Sequence, residues 1–311
     1  MNFLYIVAGL ILLVLGGNWL LKSAVGLSFR LNISKIIVGL TVVSSATSLP
    51  ELIVSVQAAL DGYSDIAIGN VVGSNIGNVG LVLGIVLLIN AIQVDKSFFA
   101  TDWPTKMIAS TLLFVFLVLD GELSRIEGFI FIALLIIFLI YLVKQNKKIE
   151  VDVPEIKEEA MSYLKIFGLL AMGGFALWIG SEFLVKGAVN LAKAIGVSER
   201  VIAVTVVSIG TSIPELVSSV IASIKKENDI SIGNIIGSNI FNILSVLGVT
   251  AIISPVKNID PRILSQDIYW MLGFGLLLLP LVLLPKRNSL SFKEGILLLV
   301  GYSVFIYFTI I

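Results

Sequence analysis

The sequence predicts an all-α polytopic membrane protein, with ten transmembrane helices arranged as two inverted five-helix repeats and broken helices at the centre. Apolar runs long enough to cross a bilayer recur from end to end. The second half repeats the first in a fixed register, and each half buries a proline and a glutamate deep in an apolar run.

Of the 311 residues, 57% are hydrophobic and 14% charged, and mean hydropathy is +1.04. A soluble domain carries about 25% charge, so these runs are not the interior of a large soluble core. Apolar segments of roughly 17–25 residues cover the ~30 Å of hydrocarbon in a membrane. They are continuous rather than alternating, which favours helices over barrel strands. The expected spans are 2–20, 36–60, 66–91, 104–120, 126–143, 163–185, 200–224, 230–253, 265–285 and 291–310. The first lacks a basic start and a small-residue cleavage site, so it reads as a span rather than a leader. Cysteine and histidine are both absent. That excludes disulfides, zinc–thiolate sites and iron–sulfur centres, and it removes the usual proton shuttle. Zero net charge with scattered basic residues offers nucleic acid no surface.

Shifting the numbering by 164 lays Thr41–Glu51 (TVVSSATSLPE) on Thr205–Glu215 (TVVSIGTSIPE), with eight of eleven positions identical. The same shift lays Ile68–Asn78 (IGNVVGSNIGN) on Ile232–Asn242 (IGNIIGSNIFN), again with eight of eleven identical. Gly16 falls on Gly180 and Lys22 on Lys186 without a gap. Apolar drift would match Leu, Ile and Val, not Thr, Ser, Pro, Glu, Gly and Asn in register. The expected organisation is a five-helix repeat over 1–143, a polar linker over 144–162 and a second repeat over 163–311. An odd number of spans per repeat inverts the second half, a common design among secondary transporters. Loops after odd-numbered spans, with the adjoining span ends, hold 15 of the 21 Lys and Arg. Positive residues stay inside, which places both termini outside the cell membrane and the linker in the cytoplasm.

Glu51 and Glu215 fall deep within spans 2 and 7. An intramembrane carboxylate costs several kcal/mol unless paired, protonated or bound to a cation. One such glutamate alone leaves a structural reading open beside a functional one, but two at equivalent repeat positions point to a site. Pro50 and Pro214 lack an N–H and should break each span while sitting well in the first turn of a new helix. Thr47, Ser48, Thr211 and Ser212 then cap that helix or present oxygens, and carbonyls before the prolines are freed as hard ligands. Spans 3 and 8 add the hydroxyls of Ser74 and Ser238 and, four residues on along the same face, the amides of Asn78 and Asn242. Asn75 and Asn239 point elsewhere and read as structural, and Asn70 and Asn234 as caps or helix-break ligands. Glycines at 69, 73, 77, 80, 233 and 237 mark close backbone approach. An all-oxygen set suits calcium or sodium and argues against zinc or copper. Two ionised glutamates carry about −2, which one calcium, two sodium ions or two protons would neutralise. There is no phosphate-binding loop and no nucleophile–base pair, so neither an ATP-driven pump nor an enzyme is expected.

The paired segments Thr47-Ser48-Leu49-Pro50-Glu51 with Gly73-Ser74-Asn75, and Thr211-Ser212-Ile213-Pro214-Glu215 with Gly237-Ser238-Asn239, resemble the two repeat motifs of the calcium/cation antiporter superfamily. The similarity is greatest to the archaeal and bacterial sodium/calcium exchangers. The resemblance implies alternating access, with spans 1 and 6 moving across a bundle containing spans 2, 3, 7 and 8. It assigns Glu51 and Glu215 to calcium and the competing sodium sites. The carbonyls of Thr47 and Thr211 go to calcium, Ser48, Ser74, Ser212 and Ser238 to sodium, and Asn78 to a central polar position. Asn242 departs from the aspartate that sodium-coupled members often carry there and resembles the calcium/proton branch. Ala46 replaces a glycine that Gly210 keeps, and Phe241 stands where the first repeat has Gly77. The function implied is sodium/calcium antiport, with calcium/proton antiport through the same glutamates as the alternative. Ca2+ and Na+ are transported ions rather than permanently bound cofactors. Beyond those ions and the bilayer, no obligate protein partner is expected.

Overall fold

The computed structural model describes residues 2–146, 161–194, 208–257, 259–284 and 288–310. Helices dominate, and nearly every expected span corresponds to one. The first is α1 (Asn2–Leu31). The second is broken: α2 (Lys35–Val38), a π turn Gly39–Val43 and α3 (Ser44–Thr47) lead to a break at Ser48, after which α4 (Leu49–Leu60) begins. Next come α5 (Ser64–Gly77), a π segment Asn78–Leu83 and α6 (Gly84–Ile89). After β1 (Ile92–Gln93), a π turn Phe98–Asp102 runs into α7 (Trp103–Asp120), followed by α8 (Arg125–Asn146).

The second half opens with α9 (Tyr163–Ala194). Its broken span is described from α10 (Ser208–Gly210), with α11 (Ile213–Ile224) after a second break. Then α12 (Asn228–Phe241), a π segment Asn242–Leu247 and α13 (Gly248–Ile253) repeat the pattern of span 3. A π turn Ile263–Asp267, α14 (Ile268–Leu283), β2 (Ser289–Leu290) and α15 (Phe292–Ile310) complete the chain. Among the described residues, eight helices are long and apolar enough to cross a membrane, or nine if the pair broken at Ser48 is one span. The remaining expected span, 200–224, lies partly outside the described residues, as does most of the 144–162 linker.

Contacts divide the chain into two units that each draw on both halves of the sequence. One holds 1–47 and 139–234, the other 48–138 and 235–311. In the first unit α1 and α9 pack along their length, backbone to backbone. A Cβ on Gly16 would stand 2.9 Å from the Gly173 carbonyl oxygen, and one on Gly173 would stand 2.7 Å from the Leu20 nitrogen. Gly9 and Gly180 meet in the same reciprocal way one heptad along. Small residues let membrane helices approach this closely. Leu13, Leu20, Val38, Ile166 and Leu177 fill the core around them. A Lys35–Glu227 ion pair of 2.8 Å ties the start of α2 to the turn before α12.

In the second unit the C-terminal part of α5, the π segment after it and the end of α12 are buried, with Val71, Ile76, Val79, Ile240, Ile243 and Leu247 at the centre. The two short strands pair antiparallel, Ile92 with Leu290 and Gln93 with Ser289. By contrast, α1, α8, α9 and α15 turn large apolar side chains outward, among them Phe3, Phe129, Leu164 and Tyr307. That is the surface a lipid-facing helix needs.

Candidate functional site

The breaks fall at the residues the prolines dictate. Ser48 and Ser212 have nearly the same backbone angles (φ −83°, ψ 3° and φ −86°, ψ 4°), and Pro50 and Pro214 lie in the first turn of α4 and α11. Neither serine hydroxyl caps its helix, so that part of the expectation is not met and both side chains are left for other partners. Proline cannot donate to the carbonyl four residues back, which orphans the oxygens of Ala46 and Gly210. The Ser181 hydroxyl of α9 donates to Gly210 O at 2.6 Å. The equivalent of Ser181 in the first repeat is Gly17, which has no hydroxyl to offer. The second break is therefore braced from α9 by a bond the first break lacks.

Glu51 and Glu215 are fully buried, at 0% exposure, each in the first turn of its half-helix. A carboxylate there is favoured by the unpaired N–H groups and the positive end of the helix. Asparagines hold both half-helices from the side. Asn70 Nδ2 donates to Glu51 O at 3.2 Å and to Ser55 Oγ at 3.0 Å. Its repeat equivalent, Asn234, donates to Ser218 Oγ and Ser219 Oγ, both at 2.9 Å, and to Glu215 O at 3.5 Å. Thr47 Oγ1 in turn donates to Asn234 Oδ1 at 3.2 Å. Asn70 and Asn234 are thus clamps on the glutamate turns. Ser55, Ser218 and Ser219, which the sequence reading did not single out, are the hydroxyls they grip.

The first unit carries Thr47, Thr211, Ser212 and Glu215 of the candidate residues; the second carries Ser48, Glu51, Ser74, Asn78, Ser238 and Asn242. Within the second, α4 packs against α5 and against the π segment that begins at Asn242. Ser74 and Ser238 are buried on α5 and α12. Asn78 and Asn242, 164 positions apart, each open a six-residue π segment. Such i→i+5 turns are rare and concentrate at functional sites. Both asparagines are fully buried, and neither Oδ1 nor Nδ2 of either has a hydrogen-bond partner among the described residues. Ser48 Oγ is in the same position. Asn75 and Asn239 are structural at their nitrogens, donating to Asn239 O at 3.2 Å and Ile235 O at 3.1 Å.

These donors are hydroxyls, amides, carbonyls and one glutamate per unit. Among the described residues no three acidic side chains gather at one place. An all-oxygen set of low charge holds hard cations such as calcium or sodium and offers soft transition metals nothing.

The sodium/calcium exchanger protein family matches residues 1–144 and 165–311, nearly the whole chain. The chain belongs to that family. Sodium/calcium exchanger MaX1 of Methanosarcina acetivorans is 30% identical, covering 98% of this chain and 97% of its own. Inner membrane protein YrbG of Escherichia coli is 36% identical over 86% of this chain and 84% of its own. The solved sodium–calcium exchanger NCX_Mj, from crystals soaked with sodium and strontium, has a TM-score of 0.84 at 31% identity. It covers 98% of this chain and 97% of its own. The exchanger is accordingly a multi-span membrane antiporter of calcium and another cation, and not an enzyme.

Proposed function

We propose that this exchanger moves calcium against sodium by alternating access, with Glu51 and Glu215 as its carboxylate ligands. Ser48, Ser74, Ser212 and Ser238 add hydroxyls, Thr47 and Thr211 add carbonyls, and Asn78 and Asn242 add amide oxygens. The carrying observation is the set of unsatisfied buried atoms at the helix breaks and π segments: Ser48 Oγ and both amide atoms of Asn78 and Asn242. Leaving a buried polar group unpaired costs about 1–3 kcal/mol. Five such atoms cost on the order of 5–15 kcal/mol, as much as the whole stability of a typical fold. A bound cation with its waters removes that cost, the oxygens facing the ion and the amide nitrogens facing water. Two glutamates balance one calcium or two sodium ions, so the filled carrier is close to neutral when it moves and the empty one is not.

The reading includes ten spans in two inverted repeats (1–143 and 163–311) joined by a cytoplasmic 144–162 linker. It places the protein in the cell membrane with both termini outside. The sevenfold-spaced glycines of α1 and α9, matched across the repeat, support the duplication. A second reading, calcium/proton exchange, is favoured by Asn242 alone: an amide there leaves two carboxylates to carry the counter-charge, and two protons satisfy them as well as two sodium ions.

Calcium uptake into proteoliposomes, with outward sodium and outward proton gradients imposed separately at clamped membrane potential, decides between the two. Sodium-driven uptake is expected, and uptake driven by protons alone would replace the first reading with the second. Glu51→Gln and Glu215→Gln should each nearly abolish uptake while the purified protein keeps its unfolding temperature within a few degrees. Normal flux in either variant refutes the site.

A further inference from the structure

A second polar constellation lies in α7, apart from the helix breaks. Asp102 ends the π turn that leads into α7, Lys106 is one turn on, and Ser110 is one turn further. Their exposures are 2%, 1% and 0%. The i, i+4, i+8 spacing puts all three on one helix face over about 12 Å. That face turns toward α14. Trp103 Nε1 donates to Gly275 O at 2.8 Å, and a Cβ on Gly275 would stand 2.6 Å from Lys106 Nζ. Glycine at 275 is what leaves room for the ammonium. From its sequence position Lys106 reads as one of the loop-end lysines of the positive-inside pattern, but the fold buries it completely.

The three groups do not satisfy one another. Among the described residues Lys106 has no ion pair or hydrogen bond. Asp102 Oδ1 and Ser110 Oγ have no partner, and Asp102 Oδ2 receives only a long 3.4 Å bond from Ser97. Side chains four apart on a helix bring their Cβ atoms to about 5–6 Å, close enough for direct contact, yet among the described residues Asp102 and Lys106 form no ion pair, and Asp102 Oδ1 is left for another partner. A neutral donor–acceptor serves both an ammonium and a carboxylate, and water is the one that does so at this size. The other ionisable groups on elements packed against α7 are Asp267 of the π turn before α14 and Tyr269 of α14. Asp95 and Lys96 precede the turn that carries Asp102.

We propose that Asp102, Lys106 and Ser110 form a water-occupied site between α7 and α14, in which Lys106 and Asp102 exchange protons through the bridging water. A proton leaves Nζ for the water, and the water passes one of its own protons to the Asp102 carboxylate. One N–H bond breaks and one O–H bond forms on Asp102, while the water gives up one proton and regains another, so the charged pair becomes a neutral pair and the net charge of the site is unchanged. Water reaching the site supplies or removes the same protons in a chain with no histidine.

The chain has no cysteine, so Ser110→Cys introduces its sole thiol. The full-length protein in lipid nanodiscs would be treated with a small water-soluble methanethiosulfonate, with Ile108→Cys, on the exposed face of α7, as the lipid-facing control. Only a hydrated thiolate reacts, and a neighbouring ammonium promotes it. Ser110→Cys should react on the order of tenfold or more faster than Ile108→Cys, and adding Lys106→Met should remove most of that advantage. Equal rates at 108 and 110, or no effect of Lys106→Met, would overturn the site. If Ser110→Cys does not fold, hydroxyl-radical oxidation of Met107 in the unsubstituted protein reports the same water, and protection of Met107 counts against it. The proton step is read separately from the infrared difference spectrum across a pH jump. A carboxyl band lost in Asp102→Asn is expected, and identical spectra would overturn the exchange.

Discussion

Replacing Asn234 by alanine removes the clamp on the Glu215 half-helix without touching the carboxylate. Its amide nitrogen makes two bonds of 2.9 Å, to Ser218 and Ser219, and a weaker one of 3.5 Å to the Glu215 carbonyl; its oxygen accepts from Thr47 at 3.2 Å. At about 1 kcal/mol net per bond, three bonds of ordinary length amount to ~3 kcal/mol. The equivalent change, Asn70→Ala, removes two bonds, to Glu51 O and Ser55 Oγ, and amounts to ~2 kcal/mol. At roughly 2–4 °C per kcal/mol, Asn234→Ala should lower the unfolding temperature by on the order of 6–12 °C, and Asn70→Ala by less. Tryptophan fluorescence during a thermal ramp of the purified protein reads both. Calcium uptake should fall in Asn234→Ala even at temperatures where it is fully folded, because Glu215 no longer sits on a fixed turn. Unchanged unfolding, or a larger loss at Asn70 than at Asn234, would refute the clamp.

Asn242→Asp adds a third carboxylate to the donor set. It should tighten calcium binding by about tenfold or more, since one favourable charge contact at 1.4 kcal/mol is already tenfold. Calcium titration by calorimetry checks this, and parental affinity would remove Asn242 from the ion's surroundings. Gly173→Val forces a side chain against the backbone of Leu20. Overpacking of this kind costs about 1–3 kcal/mol or more, read as a lower unfolding temperature. Gly168 has nothing within 4 Å of its would-be Cβ. Gly168→Ala should therefore stabilise α9 by up to ~1 kcal/mol, giving the opposite sign on the same helix.

What was legible in the sequence followed from residues whose backbone chemistry has only one outcome. Proline without an N–H had to interrupt the apolar runs, and the helices do break at Ser48 and Ser212. Polar identities matched 164 apart placed Asn78 and Asn242 in equivalent settings, and both open π segments. The π turns themselves left no trace, because an extra residue per turn changes neither composition nor hydropathy. Lys106 was missed for a related reason: near the start of an apolar run, a lysine that snorkels to the interface and one folded against a glycine on a neighbouring helix read alike. Ser181 bracing Gly210 joins residues 29 apart in sequence, with no periodicity to announce it. Ser218 and Ser219 looked like ordinary small residues of a membrane helix until Asn234 was seen to grip them.

The glycine faces of α1 and α9 also set a schedule. Gly9 and Gly16 are made early, whereas the partners they are shaped for, Gly180 and Gly173, come much later in the chain. At roughly 5–20 residues per second, the ribosome needs on the order of ten to thirty seconds to deliver them. For that interval α1 waits in the bilayer with the glycine face that later meets α9 turned toward lipid. Survival of the nascent chain then depends on α1 staying inserted without its mate. Changes that weaken its apolar flank should reduce the yield of protein before they alter how the finished exchanger works.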